Sequence, residues 1–563
     1  MTNDIWRFVT PQFDDYSAQF AQYPSIQPAD FMSTQPRLQS TLRRFTELTG
    51  LSRLLVIHAP DNSVYRHIIQ NSLSTLLPKN VPVITSESLE KTHLFTTIKA
   101  DNGHLVSEVS GLLDKADGGY LIISPNWLIK NADSWPILKS VLLGEEVSAL
   151  NCNEKSPLQY EWAKRYDIKL ILSGDREQLA TVDYIDDDIR SGLSLYTEIE
   201  LEMKIESDNL VHYFAYLKWL LQTYRYPVLS EDAVKSLLTA GVRYQTEDQQ
   251  YIPLCLFWHR TLLEEATIEA GNSTIESDHI QSALDKRYYR ESYLPERALS
   301  DILNGQVLIE TQGKQVGQVN GLTVIDIAGH PVSYGEPARI SCVVHFGDGD
   351  ISDVERKVEL GGSLHAKGMM IMQAFVSSAL ELNAPLPYSA SVVFEQSYSE
   401  VDGDSASLAE VCSLVSALSN IAIDQQIAVT GAVDQFGRVQ AVGGLNEKIE
   451  GFYHVCCHQG LTGKQGVILP KTNLRNLALH HTLVSSIQAG EFHIWPVSTV
   501  DEAIPILMGK PFRRKDTDVV LDRDSGFEKN SVLEKIAERI ELFEREENTE
   551  SLWEKLKNRL NFY

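Results

Sequence analysis

The sequence predicts a multidomain protein that combines an α/β domain, a helical region and an α+β domain. The chain has 563 residues, and domains of about 150 residues give an expectation of three to four of them. In the first part of the chain, short continuous apolar runs alternate with helical patterns, which is typical of strands buried in a parallel sheet. A later region mixes strands and helices without that regular alternation, which favours an α+β arrangement.

Each segment follows from a change of pattern along the chain. Four prolines interrupt an aromatic-rich start that we expect to be loop-like. Buried strands are predicted at 54–60, 119–123 and 168–172, with a helix at 63–77 between the first two. We therefore expect an N-terminal extension (1–45), an α/β domain (46–205), a helical region (206–304), an α+β domain (305–510) and a polar helical tail (511–563).

The expected elements of the last two segments are also set by periodicity. Strands are predicted at 339–345, 389–394, 427–430 and 466–469, and helices at 363–382, 405–419 and 445–458. In the tail, Leu533, Ile536, Ile540 and Phe543 recur at helical spacing. This pattern predicts one helix at the surface or facing a partner.

Composition limits the classes of function. The net charge of −26 argues against a protein whose main partner is nucleic acid or an anionic membrane, since both require a basic face. Six cysteines are too few for a disulfide scaffold, so reduced thiols are expected. The start of the chain lacks the pattern of a signal peptide, and the apolar stretch 210–221 is too short to span a bilayer. We expect a soluble cytoplasmic protein.

A glycine-containing turn places a serine at the start of an apolar helix. The string Asp-Gly-Asp-Ser-Ala-Ser occupies 402–407 and precedes a helical pattern that is apolar nearly all round. Ser405 is a candidate nucleophile there, because free backbone N–H groups and the helix dipole both favour an oxyanion. The alternative is an ordinary turn with an N-cap.

A second glycine-containing motif supplies a candidate base. The string Gly-Gly-Leu-Asn-Glu-Lys at 443–448 opens another helix, and Lys448 lies beside its apolar stripe. Burial disfavours the ammonium form, and bringing the pKa of a lysine from ~10.4 to near neutral needs roughly 4 kcal/mol. A neutral lysine can serve a serine nucleophile in place of histidine. The alternative is a surface lysine whose stem covers the stripe.

Together the two motifs resemble the proteolytic domain of the Lon protease family, which uses a Ser–Lys dyad. The serine and the lysine are 43 residues apart, and further matching strings lie at 316–322, 353–362 and 365–368. The resemblance is strongest over about 310–505 and is closest to the Lon-like B branch. It implies a Lon-type α+β proteolytic domain at 305–510, preceded by an AAA+-like α/β module with a helical lid.

The resemblance also implies roles for single residues. Ser405 would be the nucleophile and Lys448 the base, and Thr430 matches the threonine that helps to orient the lysine. Asp402 matches the acidic residue of the family's Asp-Gly-x-Ser string. Asp404 stands where the main branch has proline, and it either hydrogen-bonds the dyad or holds it inactive. Because its charge favours protonated Lys448, we expect Asp404 to move or to be remote in the active form.

The AAA+-like module lacks the residues that ATP hydrolysis requires. A phosphate-binding loop needs Gly-x-x-x-x-Gly-Lys-Ser/Thr after a strand, whereas 59–66 reads Ala-Pro-Asp-Asn-Ser-Val-Tyr-Arg. Asp61 would repel a phosphate, and the strand at 119–123 is followed by Ser-Pro instead of acidic residues. We do not expect ATP hydrolysis, and the sequence leaves nucleotide binding open.

Two other polar clusters invite a metal hypothesis. The string His-Val-Cys-Cys-His at 454–458 lies on one predicted helix, where four ligands cannot converge on one ion. Three aspartates at 186–188 are better explained as a solvated loop. No metal site is predicted at either place.

These observations predict a Lon-type serine endopeptidase that degrades unfolded or loosely folded proteins through an acyl-enzyme, without its own ATP hydrolysis. Peptide hydrolysis would need no cofactor, and the resemblance implies a hexameric ring with the sites inside a chamber. No nucleic-acid or membrane partner is expected. One alternative is a ring-forming, chaperone-like or binding scaffold with a vestigial peptidase site. Another is an ATP-dependent Lon protease with an atypical nucleotide site.

Overall fold

The computed structural model describes residues 4–153, 155–160, 162–271, 273–347, 349–357, 360–380, 388–396, 402–513 and 531–542. The chain divides into two compact units. The first unit contains Ala18–Val228 and Leu254–Thr261, and the second unit contains Met1–Ser17, Leu229–Pro253 and Leu262–Tyr563. The predicted segments 1–45 and 206–304 are each divided between the two units.

The first unit is built on a five-stranded parallel sheet. Its order across the sheet is Ser194–Glu198, Leu54–His58, Ile168–Gly174, Gly119–Ile123 and Val83–Ser86. The central strands are buried on both faces, as their continuous apolar runs predicted. The remaining strands of this part of the chain are short: Thr97–Asp101, His104–Val109, Glu146–Ser148, Leu150–Asn151, Ala163–Arg165 and Glu202–Lys204.

Helices occur both in the predicted α/β segment and near the start of the chain. They are Ser17–Gln22, Pro36–Glu47, Ser63–Leu76, Lys91–Leu94, Leu112–Ala116, Asn126–Lys130, Trp135–Leu142 and Arg176–Ile185. The prediction of a loop-like extension is wrong at Pro36–Glu47, where Pro36 occupies the first turn. A proline is tolerated there because its missing N–H would have no helical partner in any case.

The region predicted to be helical forms five helices and one short strand. The helices are Ser207–Tyr224, Glu231–Gly241, Leu256–Ala270, Ser277–Glu291 and Tyr293–Leu303, and the strand is Tyr251–Pro253. Among the described residues, none of the helices combines the length and the apolar character needed to cross a bilayer.

The second unit contains a seven-stranded mixed sheet. The order is Ile351–Asp353, Tyr388–Phe394, Tyr334–Phe346, Gln318–Ile325, Ile427–Val429, Gly466–Pro470 and His493–Val497. The pairs on both sides of Tyr334–Phe346 are antiparallel, and the other neighbouring pairs are parallel. Short two-stranded pairings join Lys314–Gln315 to Ile423–Asp424 and Ala432–Val433 to Val439–Gln440.

Several helices of this second unit accompany the sheet, and one of them is fully buried. The helices are Val354–Lys357, Ser363–Ala379, Ser407–Ser419, Leu445–Gln459, His481–Ala489 and Val500–Met508. Every residue of Ser407–Ser419 is buried, which agrees with an apolar pattern that runs nearly all round the helix. This helix follows directly after Ser405, so the core of the domain holds the turn that carries the candidate nucleophile.

The tail helix is a core helix and not a surface helix. Residues 532–542 are helical, and Leu533, Ile536 and Ile540 are buried in the same apolar cluster as the helix Ser407–Ser419. Arg539 Nη1 donates to the carbonyl groups of Ala417 and Leu418, at the last turn of that helix. The predicted surface or partner-facing position is therefore wrong for these residues, because their apolar stripe completes the core of the same chain. Phe543 and the residues after it lie outside the described part of the chain.

Two of the three aspartates at 186–188 pair with one lysine. Lys139 Nζ lies 2.7 Å from Asp186 Oδ2 and 2.6 Å from Asp188 Oδ2. The indole N–H of Trp135 donates to Asp186 as well. This segment is therefore an ion-paired loop, with its charge partly compensated within the chain.

Candidate active site

Ser405 lies in a tight turn that the central sheet holds in place. Gly403 has φ 114°, which only glycine adopts without strain. The carbonyl of Ser405 accepts the backbone N–H of Gly431 at 2.8 Å, just beyond the strand Ile427–Val429. The N-cap of the following helix is Ala406, without a side-chain capping bond, so the Ser405 hydroxyl does not serve as the helix cap.

Lys448 reaches the same place from a different helix. Gly444 is the N-cap of Leu445–Gln459 with φ 65°, and a Cβ added there would lie 3.0 Å from the side chain of Val324. The glycine therefore lets the helix begin close to the strand Gln318–Ile325. Lys448 lies in the first turn and is 2% exposed, so the interpretation as a surface lysine is wrong.

The two side chains are in hydrogen-bond contact. Lys448 Nζ lies 3.0 Å from Ser405 Oγ. Burial lowers the pKa of Lys448 to about 8, while the charges of Glu447 and Asp404 oppose that shift. A base with a pKa near the working pH is suited to take a proton from a hydroxyl group. The arrangement can therefore activate Ser405 for attack on a carbonyl carbon.

Thr430 contacts the serine side of this pair. It is fully buried, and its hydroxyl donates to the carbonyl of Ser405 at 3.4 Å. Its backbone N–H donates to the carbonyl of Ile468 on the neighbouring strand. In the part of the chain that the structure describes, Thr430 makes no hydrogen bond to Lys448. Thr430 thus ties the turn at 402–407, which carries Ser405 and is called the nucleophile turn below, to the sheet.

Asp402 joins the nucleophile turn to a neighbouring helix. Its Oδ1 accepts the backbone N–H of Leu364 at 3.2 Å and that of Gly403 at 3.0 Å. Leu364 belongs to the first turn of Ser363–Ala379, whose N-cap, Gly362, has no side chain to offer. Although it is remote in sequence, Asp402 therefore provides the hydrogen-bond acceptor that the side chain of an N-cap residue would provide.

Asp404 is exposed in the same turn. A Cβ on Gly368 would lie 3.3 Å from the Asp404 Cβ, so the aspartate packs beside the helix Ser363–Ala379. Within the described ranges, no ion pair joins Asp404 to Lys448 at 4.0 Å or less. Its charge still raises the pKa of Lys448, against the larger effect of burial.

The dyad opens into a cavity of about 320 Å³. Its walls include 322–325 and 336–339 from two paired strands, with Ser405 and Lys448 at one side. Arg339 and Glu395 form an ion pair of 3.9 Å on the wall. A space of this size accommodates a few residues of an extended peptide.

Comparisons with known proteins agree with this geometry. The model for the Lon protease (S16) C-terminal proteolytic domain matches residues 395–510, and that for a LonB-like AAA domain matches residues 79–199. A putative Lon protease homolog of Escherichia coli (strain K12) is 38% identical over 542 residues, which cover 90% of this chain and 92% of that protein. The chain belongs to the Lon protease family.

Other Lon proteins match smaller parts of the chain. A putative Lon protease homolog of Haemophilus influenzae is 39% identical over 412 residues, covering 73% of this chain and 68% of that protein. An archaeal Lon protease of Thermococcus kodakarensis is 27% identical over 282 residues, covering 50% of this chain and 39% of that protein. With its Lon proteolytic domain, this family member is a serine-type endopeptidase.

In this Lon protein, side chains of the chain itself fill the place after the strand Leu54–His58 where a phosphate-binding loop would hold an anion. Gln178 Nε2 and Asn126 Nδ2 donate to Asp61 Oδ2 at 2.6 and 3.0 Å, and Ser124 Oγ donates to the same oxygen at 3.2 Å. Although burial alone would raise it, the pKa of Asp61 is held below its usual range by these bonds and by Arg66. A carboxylate thus collects the donors that could otherwise hold an anion.

Arg66 completes this internal network. It is 2% exposed and bonds to Asp61, to Glu87 and to the carbonyl of Ser173. At the start of the helix Ser63–Leu76, Asn62 Oδ1 accepts two backbone N–H groups, at 3.1 and 3.3 Å. The helix N-terminus, which binds phosphate in nucleotide-binding loops, is therefore capped from within the chain.

The cysteines and histidines at 454–458 lie on one helix and differ in exposure. Cys456 is buried, whereas Cys457 and His458 are exposed on the same helix. Sequence analysis missed a different group, in which Asp353, Glu355, His365 and Glu410 are buried together. One signal was available for it: Glu410 is a charged residue in the first turn of a helix that is otherwise apolar or small.

Proposed function

We propose that this Lon protein cleaves peptide bonds with Ser405 as the nucleophile and Lys448 as the general base. The observation that supports the proposal is the 3.0 Å contact between Lys448 Nζ and Ser405 Oγ, made by a lysine that is 2% exposed. Burial lowers the pKa of Lys448 to about 8, so a usable fraction of the lysine is neutral near neutral pH.

In the proposed reaction, Lys448 takes the Ser405 proton as Oγ attacks the carbonyl carbon of the substrate. The tetrahedral intermediate collapses when the lysine returns the proton to the leaving amine, which gives an acyl-enzyme. Water, deprotonated by the same lysine, then attacks the ester and releases the second product. Atoms and protons balance over the two steps, and no cofactor is needed.

The oxyanion would be held by backbone N–H groups of the nucleophile turn. In the described part of the chain, the N–H groups of Ser405 and Ala406 donate to no protein acceptor, whereas the N–H of Ser407 donates to the carbonyl of Asp404 at 3.1 Å. They lie where the buried helix Ser407–Ser419 begins, so its dipole adds to their effect. Losing one such donor costs roughly 2.7–4 kcal/mol of barrier.

We infer further that the AAA domain does not hydrolyse ATP. Asp61 gathers the donors around the loop after the first strand, and Asn62 caps the helix that would receive a phosphate. The loop also lacks a lysine between 59 and 66, so no side chain there can neutralise the phosphates as a Walker lysine does.

Without a motor, the substrates would be proteins that are already unfolded or loosely folded. We propose that the chain acts in the cytoplasm as a ring of six copies, with the dyads facing a central chamber, which is the arrangement that its family membership favours. The net charge of −26 supports a role away from nucleic acid and anionic membranes.

Degradation of casein, an unfolded protein, tests the proposal directly. The wild type, Ser405→Ala and a matched control, Ser485→Ala, are compared with and without ATP and with a non-hydrolysable ATP analogue. Ser485 is exposed and bonds only to a carbonyl of its own helix. We expect cleavage by the wild type and the control in all three conditions, and none by Ser405→Ala.

The other two outcomes each contradict a separate part of the proposal. Absence of any Ser405-dependent cleavage contradicts the dyad mechanism and favours a binding scaffold with a vestigial site. Cleavage that requires hydrolysable ATP contradicts the inference about the AAA domain and leaves the dyad mechanism intact.

A further inference from the structure

Four ionisable side chains are buried together in the second unit, and the dyad mechanism does not use them. Asp353, Glu355, His365 and Glu410 are 7%, 4%, 2% and 1% exposed. Asp353 ends a strand, Glu355 follows it, His365 lies in the helix Ser363–Ala379, and Glu410 lies in Ser407–Ser419. Three carboxyl groups and one imidazole would carry excess negative charge if all of them were ionised, and burying uncompensated charge costs several kcal/mol per ion.

Three of these residues point ligand atoms at a common position. One ligand atom each from Asp353, Glu355 and His365 lies within 4.8 Å of the others. His365 Nε2 is 3.2 Å from Asp353 Oδ2, which is close to the separation of two atoms that bind one tetrahedral ion at ~2.1 Å.

Two of the ligand atoms have no partner outside the cluster. His365 Nε2 and Glu355 Oε2 are buried, and in the described part of the chain the polar atoms near them belong to the cluster itself. Glu355 Oε1, by contrast, accepts the backbone N–H of Phe394 at 2.9 Å, which fixes the carboxylate in place. The side chain is thus oriented, with its second oxygen directed into the cluster.

Glu410 lies on the other side of the imidazole ring. Its Oε1 is 3.6 Å from His365 Nδ1. The ring is also packed edge-on to Phe394, with centroids 5.7 Å apart and planes at 74°. A metal-binding histidine commonly has a carboxylate at its second nitrogen, which sets the tautomer and makes the first nitrogen a better ligand.

We propose that Asp353, Glu355 and His365 bind one divalent transition-metal ion, with Glu410 as the positioning residue for His365. Two carboxylates and one imidazole suit Zn²⁺ or Mn²⁺ better than Ca²⁺, which takes six to eight oxygen ligands. A cavity of about 360 Å³ reaches Asp353 past Lys357 and Met369 and offers a path for the ion and for a water ligand.

The ion would stabilise the support of the nucleophile turn. It would join the segment that contains Asp353 and Glu355 to the first turns of the helix Ser363–Ala379. In the same helix, the N–H of Leu364 donates to Asp402, which lies three residues before Ser405 in the same turn. Metal binding would therefore favour the arrangement in which the turn is held against that helix.

Metal content of the full-length protein tests the site without relying on activity. Chelator-treated wild type is dialysed against Zn²⁺, Mn²⁺ or Mg²⁺, the bound metal is measured by mass spectrometry, and thermal unfolding is followed. Co²⁺ is added in a separate arm, because its visible absorption reports nitrogen and oxygen ligands. We expect about one Zn²⁺ or Mn²⁺ per chain, a higher Tm with either ion, and no such effect of Mg²⁺.

Variants assign the ligands. His365→Gln and Glu355→Gln should abolish stoichiometric binding, and Glu410→Gln should weaken it roughly 10- to 100-fold. His458→Gln is the matched control, because His458 is exposed beside the cysteines at 456–457, and it should retain the full metal content.

The competing explanation is that protons alone neutralise the cluster, since burial raises the pKa of Glu410 to about 7. Less than stoichiometric metal in the wild type, together with a Tm that neither Zn²⁺ nor chelator changes, overturns the proposal. Undiminished binding by His365→Gln, or loss of binding by His458→Gln, overturns the assigned ligands. If the cluster variants do not fold, the wild-type measurements decide the question by themselves.

Discussion

Lys448 Nζ lies 3.0 Å from Ser405 Oγ, although the two residues are 43 positions apart and come from different elements. The serine is held by the end of a central strand, and the lysine by the first turn of a helix that begins at Gly444. Both supports are backbone features, so they fix the backbone positions from which the two side chains meet. The chemistry then depends on how much of Lys448 is neutral.

The pH profile of peptidase activity should follow the deprotonation of Lys448. In the proposed mechanism the neutral lysine is the base, and burial lowers its pKa to about 8. We therefore expect kcat/KM to fall about tenfold per unit below pH 8 and to level off above it, as measured with a fluorogenic peptide from pH 6 to 10.

Asp404→Asn should move that profile to lower pH. The Asp404 carboxylate favours the charged form of Lys448, so its removal lowers the pKa of the lysine. Glu491→Gln, which removes an exposed charge elsewhere in the second unit, is the control and should leave the profile unchanged. A profile that is flat from pH 6 to 9 in the wild type would contradict the role of Lys448 as the base.

Lys448→Met should make the protein more stable while abolishing activity. The pKa of the lysine falls from 10.5 in the unfolded chain to about 8 in the folded one, which corresponds to at most about 3 kcal/mol. Between these values the unfolded chain binds more protons, so the stability of the wild type rises with pH. The penalty is therefore complete below pH 8 and disappears above pH 10.5.

Denaturant unfolding of the two proteins at pH 7 and pH 10 checks this linkage. The advantage of Lys448→Met should be largest at pH 7 and shrink at pH 10. Lys464→Met is the control, because Lys464 is exposed and pays no burial penalty. Equal gains at both pH values would show that the variant acts through packing instead of through the charge.

Ser405 and Lys448 could be selected as candidates from the sequence because they lie in short strings with glycines at fixed positions. Such strings indicate a local backbone conformation, which can be inferred from one sequence without knowledge of distant contacts. The tail helix was placed wrongly for the opposite reason. Its stripe of Leu533, Ile536 and Ile540 shows that one face is covered, but not that the cover is the helix Ser407–Ser419 of the same chain.

Long-range polar contacts were beyond the reach of sequence reasoning as well. Nothing in the string at 402–407 shows that Asp402 caps a helix beginning at Ser363, because the partner groups are backbone N–H groups. The buried group around His365 is assembled from three separate elements. Only Glu410 gave a local sign, as a charge inside an apolar helix.

Asp402→Ala should reduce both stability and turnover. It removes the acceptor for the N–H of Leu364, and losing such a cap costs about 1 kcal/mol. The freed turn also places Ser405 less accurately, and a misplacement of ~1 Å can cost up to about 100-fold in rate. Tm and kcat of the variant, measured in parallel, check both effects.

Two further variants test whether the effect of Asp402 comes from its hydrogen bond to the helix or from its charge. Asp402→Asn keeps an oxygen acceptor and should lose much less turnover than Asp402→Ala. Gly362→Ala keeps Asp402 but places a Cβ against its carboxylate, so it should resemble Asp402→Ala. Full activity of Gly362→Ala would contradict a role for this contact in positioning the serine.

Arg66→Ala should destabilise the first unit without affecting any response to ATP. The guanidinium is 2% exposed and pairs with Asp61 and with the half-exposed Glu87, so its removal should cost less than the about 3–5 kcal/mol of a fully buried pair. Arg37→Ala is the matched control, because its pair with Glu200 leaves Arg37 largely exposed, and such pairs contribute less than about 1 kcal/mol. Urea unfolding with and without Mg·ATP measures both the stability of the variants and their response to ATP.

We expect ATP to leave the unfolding midpoint of the wild type unchanged, because Asp61 and Asn62 already occupy the donors of the loop. A midpoint that ATP raises in the wild type and in Arg37→Ala but not in Arg66→Ala would instead identify Arg66 as a phosphate-binding residue.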